Sequence, residues 1–317
     1  MYYNKTMKAQ NPLRPHLIIL AVIVLLFAVG VVILLRWNKG TPSDYDPADV
    51  SDEFDIEALD FIVPPDPAYR AKLEEGEGLH ILCIGNNPFS DETGDSGLAA
   101  LIADATGGST YNGAFPGSTV ATKTNPGLPH EFFSLFYVTM ALINRDASFL
   151  VEKAALFGDE RHVAAAATLA ALDMEEIDVL LIMYDTTDYN ILSPADNPND
   201  GHDLNAYTGS LRTAIENFQT FFPHLRIILM SHSYARYLDA DGSLKNGTIH
   251  DLGNGNLPHY LVLAHEVAFG AAVTFIDNYF GTINEENYPQ YMRDHMHYNE
   301  DGRALLARRA ARVILGE

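Results

Sequence analysis

After residue 76 the chain alternates between short apolar runs and longer amphipathic stretches. The runs "LHILCIG" (79–85), "IDVLLIMYD" (177–185), "LRIILMS" (225–231) and "AAVTFID" (271–277) are continuous rather than alternating. That is the pattern of strands buried on both faces. A weaker run, "STYNGA", lies at 109–114. Between the runs, the spacing predicts helices over 97–106, 131–145, 149–172, 205–222, 257–270 and 299–314. Strand–helix alternation implies a parallel five-stranded sheet with helices on both faces, so residues 77–317 read as one three-layer α/β/α domain. The last helix is well marked: Asn299 can cap it, Glu300 and Asp301 fall in its first turn, and Arg308, Arg309 and Arg312 lie towards its end.

The pattern before residue 77 is different. "LIILAVIVLLFAVGVVILL" (17–35) carries no charge over 19 residues. As a helix it would span roughly 28 Å, close to the ~30 Å thickness of a bilayer's hydrocarbon. Trp37 follows at a depth where amphipathic rings favour the interface. A cleaved signal peptide would have a shorter apolar region and a small-residue cleavage site, and "RWNKGTPSD" offers none. The expectation is a transmembrane anchor at 17–37 behind a cytoplasmic tail at 1–16. Lys5, Lys8 and Arg14 before the span, against Arg36 and Lys39 after it, favour a cytoplasmic N-terminus and an extracytoplasmic C-terminal domain by a small margin. Residues 38–76, rich in Pro, Asp, Glu and Ser, read as an acidic stalk with a short docking segment at 56–63.

Charge narrows the function classes. The first forty residues hold five basic side chains and no acid, which leaves 15 basic against 42 acidic residues in the rest, a net of −27. A body that acidic repels nucleic acid and anionic head groups. Cys83 is the single cysteine, so an intrachain disulfide and a Cys₄ or Cys₂His₂ zinc site are excluded. Its place in an apolar run predicts an inert core thiol.

Open α/β sheets bind ligands outside the carboxyl ends of their strands. The segments that follow the strands are "GNNPF" (85–89), "NGAFPGST" (112–119), "DTTDYN" (185–190), "SHSYAR" (231–236) and, later, "DHMHYNEDG" (294–302). In the last, Asp294 and His297 are three apart just before the final helix. A carboxylate in reach of an imidazole fixes its tautomer, which makes His297 a candidate general base. Local turn hydrogen bonds explain the same spacing, and Asp294, His295 and His297 offer a weaker metal alternative. His232, after the fourth strand, is placed to line the same edge.

These segments resemble, in order and strand context, the conserved blocks of the SGNH/GDSL hydrolases over roughly residues 79–315. "DHMHYNEDGRALLA" is similar to the final Asp-x-x-His block, "NGAFPGST" to the second, "LIMYDTTDY" to the third and "ILCIGNNPF" to the first. The resemblance implies a flavodoxin-like fold and esterase, lipase or carbohydrate O-acyl hydrolase or transferase activity, without metal or other cofactor. It also implies that Gly117 supplies an oxyanion amide and that Asp294 orients His297. Asp188 is retained from the third block. The departures fall on the reacting groups: Asn86 stands for the first block's aspartate, Asn87 for its nucleophilic serine, Asp185 for the third block's glycine and Thr187 for its asparagine. An asparagine cannot attack an acyl carbon, and losing a triad nucleophile costs on the order of 10⁶ in turnover.

Two serines lie near the empty slot. Ser90, three residues on, is a candidate nucleophile if the turn at "NNPF" folds it back; local loop bonding is the alternative. Ser96, within Gly94-Asp95-Ser96, mimics the family's signature but lies far past the strand, where Ser96 or Asp95 is expected to cap the next helix. The sequence therefore predicts a membrane-anchored, exported ester hydrolase acting on O-acyl groups of a surface glycan or on small esters. Its catalytic residues would be His297, Asp294 and Ser90 or a water, with Asn87, Gly117, Thr187 and Asp188 shaping the oxyanion and substrate site. The alternative is a non-catalytic glycan- or acyl-binding module on the same fold.

Overall fold

The computed structural model describes residues 58–122 and 129–317. The expected tail, the anchor at 17–37 and most of the stalk lie outside the described residues, and among those described no helix is long and apolar enough to cross a membrane.

Along the chain run α1 (Pro67–Glu75), β1 (His80–Gly85), α2 (Asn87–Ser90), α3 (Leu98–Thr106), β2 (Ser109–Asn112), α4 (Leu135–Ile143), α5 (Ser148–Phe157) and α6 (Glu160–Ala171). They continue with β3 (Val179–Met183), α7 (Thr187–Asn190), α8 (Tyr207–Phe221), β4 (Arg226–Met230), β5 (Arg236–Leu238), β6 (Leu244–Asn246), α9 (Leu257–Gly270), β7 (Thr274–Ile276), α10 (Tyr288–Tyr291) and α11 (Glu300–Leu315). The five strands expected from the apolar runs form one parallel sheet in the order β2-β1-β3-β4-β7.

Side chains alternate across this sheet, so each continuous run feeds two cores. Leu82, Ile84, Leu180, Ile182 and Leu229 pack against α4, α5, α6, α8 and α9. Ile81, Cys83, Leu181, Met183, Ile228 and Met230 pack on the other face with α1, α3 and α11. Cys83 is fully buried there, and burial pushes its thiol pKa up.

The structure adds detail where the pattern was silent. The stretch 149–172 is two helices: Gly158 turns left-handed at φ 77°, and Asp159 caps the second by accepting from Arg161 N–H. Residues 58–75, assigned to the stalk by composition, belong to the domain: Phe61 and Val63 line the outer edge of β7, and α1 is tied to α11. Phe61 and Phe275 exchange backbone hydrogen bonds of 3.0 and 2.7 Å, and Tyr69 Oη donates to Ile314 O at 2.8 Å. An edge strand left bare would invite pairing with another chain. A two-stranded hairpin, β5–β6, follows β4 and is tied to the loop before α11 by Arg236 N–H donating to His295 O at 2.8 Å.

The caps divide. Asn299 Oδ1 accepts from Gly302 N–H at 2.9 Å, as expected. Replacing it with alanine should cost about 1 kcal/mol, read as a lowered urea midpoint with unchanged slope. The cap expected of Ser96 or Asp95 is not made. Gly97 is the N-cap of α3, with no side-chain bond, and Ser96 instead offers its carbonyl to Arg303 Nε at 2.7 Å.

Candidate active site

β1 ends at Gly85, whose φ of 148° admits no Cβ beside Met183. The next residue, Asn86, is fully buried and joins three strand ends. Its Nδ2 donates to Ser118 O at 2.8 Å and to Asp185 Oδ1 at 2.7 Å, and its Oδ1 accepts from Asp185 N–H at 2.9 Å.

Asn87 opens α2 in the position of the missing serine. Its side chain spans the site: Nδ2 donates to Asp185 Oδ2 at 2.7 Å, and Oδ1 accepts from Gly117 N–H at 2.9 Å. The amide expected to bind an oxyanion thus already holds a carbonyl oxygen of the chain itself. Asp185 also accepts from Thr187 N–H at 2.9 Å and Thr187 Oγ1 at 2.6 Å, so the Thr187 hydroxyl is committed to that carboxylate. Asp188 lies behind, buried, accepting from Val120 N–H at 2.8 Å and Ala121 N–H at 3.0 Å. Burial pushes its carboxyl up to about 6 against the pull of those bonds.

On the loop before α11, Asp294 and His297 form the expected pair, with Nδ1 2.8 Å from Oδ2 and 2.9 Å from Oδ1. Asp294 Oδ1 also accepts from Met296 N–H at 3.0 Å and His297 N–H at 2.9 Å, so the turn bonding and the imidazole pair coexist. Burial opposes ionisation of Asp294, but these three donors bring its carboxyl down to about 2. His232, by contrast, is buried against Tyr279, and desolvation lowers it to about 4.

Two groups therefore assemble, one around Asp185 with Asn87, Gly117 and Thr187, the other being the Asp294–His297 pair. Asp91 lies between them. Its Oδ2 is 3.8 Å from His297 Nε2 and 3.5 Å from Arg293 Nη2. Its N–H donates to Asn87 O at 2.9 Å, one helical turn on. Ser90 is buried, and its Oγ donates to Asn86 O at 3.0 Å rather than to His297. Asp185 and Asp91 were missed as site residues. Asp91 had a signal in "NPFSD", because positions four apart share a helix face. Among the described residues no group of three or more His, Cys, Asp or Glu side chains is arranged to hold a metal.

No protein-family model matches the chain, and no curated protein matches it. Solved structures do. One is 18% identical over 75% of this chain and 96% of its own, with a TM-score of 0.53. A protein from Lactobacillus plantarum is 14% identical over 74% of this chain and 94% of its own, with a TM-score of 0.51. A possible lipase from Chitinophaga pinensis is 14% identical over 74% and 97%, with a TM-score of 0.48. At such identities the likeness is one of fold. With its flavodoxin-like strand order and its loops gathered at the carboxyl ends of the strands, the described domain has the three-layer α/β/α fold expected from its resemblance to the SGNH/GDSL hydrolases.

Proposed function

We propose that this domain is an ester hydrolase that uses water, and no serine acyl-enzyme, to cleave O-acyl groups. The single observation that carries the reading is the Asp294–His297 pair, brought next to α2 through the contact of His297 with Asp91, where an asparagine stands in the place of a nucleophile. Orienting the imidazole is what such a carboxylate does in acyl transfer. An acyl oxygen that reaches Gly117 N–H displaces Asn87 Oδ1, a rotamer change in a half-buried side chain. Export behind the apolar run at 17–35 would direct the activity to esters outside the membrane, O-acetyl groups of a surface glycan among them.

The reading is tested with the full chain on ethyl acetate and an acetylated glycan. His297→Ala should reduce turnover by roughly 10²–10⁴, and a fluorophosphonate should label no residue. A label on Ser90 would replace water with that serine. A second reading, a binding module without turnover, is favoured by the bond from Gly117 N–H to Asn87 Oδ1, which leaves the oxyanion amide already satisfied. Wild-type rates no higher than those of His297→Ala would sink the hydrolase in favour of that module.

A further inference from the structure

We infer that Asp91 is the base that activates the water, and that the imidazolium of His297 is the acid that protonates the leaving alcohol. The assignment rests on the hydrolase reading above and divides its proton transfers between two side chains.

The geometry starts from α2. Asn87 turns its side chain away to Gly117 and Asp185, and the residue one turn later, Asp91, brings a carboxylate to the face of His297 that is turned from Asp294. His297 therefore has a carboxylate at each ring nitrogen, Asp294 at 2.8 Å from Nδ1 and Asp91 at 3.8 Å from Nε2. An imidazolium donates at both nitrogens and suits both neighbours, whereas a neutral ring has one donor for two carboxylates. At 3.8 Å the Nε2–Asp91 contact is too long for a direct hydrogen bond, so neither group is tied up by the other. Arg293 also reaches the same Oδ2, at 3.5 Å, and its Nε lies 3.8 Å from Asp294 Oδ2.

The groups that face Asp91 are His297, Arg293, Asp185 and Arg161. Burial raises its carboxyl above the usual range, Asp185 acts in the same direction, and the three cationic groups oppose them. A base is most effective when its pKa lies near the working pH, so a raised carboxyl serves better than an ordinary one.

The steps balance. Water oxygen bonds to the acyl carbon as one of its protons passes to Asp91. The C–O bond to the alcohol then breaks, and the departing oxygen takes the Nε2 proton of His297. The acid and alcohol leave, and Asp91 returns its proton to His297.

The roles separate by leaving group. An aryl ester such as p-nitrophenyl acetate needs no proton to release its phenolate, whereas ethyl acetate does. With the full chain, Asp91→Asn should reduce turnover of both by roughly 10²–10⁴. His297→Gln should do the same to ethyl acetate but cost about tenfold or less on the aryl ester. The rise of wild-type aryl-ester turnover with pH should vanish in Asp91→Asn, and formate should restore rate to Asp91→Ala. Equal losses on both esters in His297→Gln would return the base role to His297 and overturn the assignment. So would near-wild-type turnover in Asp91→Asn, or no formate rescue in a folded Asp91→Ala. A wild type that turns over neither ester would overturn the hydrolase reading itself, and this assignment with it.

Discussion

Gly85→Ala is expected to leave no stably folded domain. A Cβ at this position would lie 1.8 Å from Met183 O and 2.7 Å from Met183 C, both backbone atoms of the neighbouring strand. Gly85 and Met183 are register partners in the parallel pair β1–β3 at the centre of the sheet. Separating those strands would break the ladder and open both cores at once, since Cys83 and Met183 pack on one face and Ile84 and Ile182 on the other. The φ of 148° adds its own penalty, because side-chain-bearing residues rarely adopt it. The cost should exceed about 4 kcal/mol, a large part of the 5–15 kcal/mol that holds a typical domain together. The check is urea unfolding followed by circular dichroism. A midpoint within experimental error of wild type would mean that the strand ends are not as close as described.

The same contact shows why some of this fold is legible in the sequence and some is not. β1, β3 and β4 are buried on both faces, so they must be apolar without interruption, and a run of that kind stands out. β2 lies at the sheet's edge, half-buried, and its Ser-Thr-Tyr-Asn gives only a weak signal. α1 buries only Tyr69 and so reads as part of an acidic linker. The β5–β6 hairpin pairs Leu238 with Leu244, both largely exposed, across a turn whose Asp241-Gly242 was its one local cue.

The site divides in the same way. Asp294 and His297 are three residues apart, so spacing alone reveals their bond. The clamp of Asn87 by Asp185 and Gly117 joins residues 98 and 30 positions apart, and nothing local announces it. The resemblance to the SGNH/GDSL blocks made Asp185 a replaced glycine. Its carboxylate instead gathers Asn86, Asn87 and Thr187, so the substitutions in the first and third blocks form one set of bonds. A serine at position 87 would leave Asp185 Oδ2 and Gly117 N–H without these partners. The two departures from the resembled pattern are therefore physically coupled, and a double-mutant cycle on Asn87 and Asp185 should be strongly non-additive.

Asp188→Ala is the second substitution with a large expected effect, and it connects stability to the site. Val120 N–H and Ala121 N–H both end on this carboxylate, at 2.8 and 3.0 Å, and all three residues are buried. The bonds pin the loop that carries Gly117 to the start of α7. Alanine would leave two buried donors without an acceptor, at about 1–3 kcal/mol each, so a total near 4 kcal/mol is expected. Asp188→Asn keeps an acceptor oxygen and should lose less. The isosteric variant also isolates a pH effect. In the folded protein burial pushes the Asp188 carboxyl up to about 6 from its ordinary 3.8, because desolvation outweighs its hydrogen bonds. A carboxyl with a raised folded-state pKa takes up a proton on folding. Its contribution is complete below about pH 4 and is lost as pH rises through 6. Wild-type stability, measured against Asp188→Asn by thermal or urea unfolding, should therefore fall between pH 4 and 7 and level off above. A difference that is flat across that interval would place the Asp188 titration outside it, and one that grows with pH would show that the two backbone donors outweigh burial.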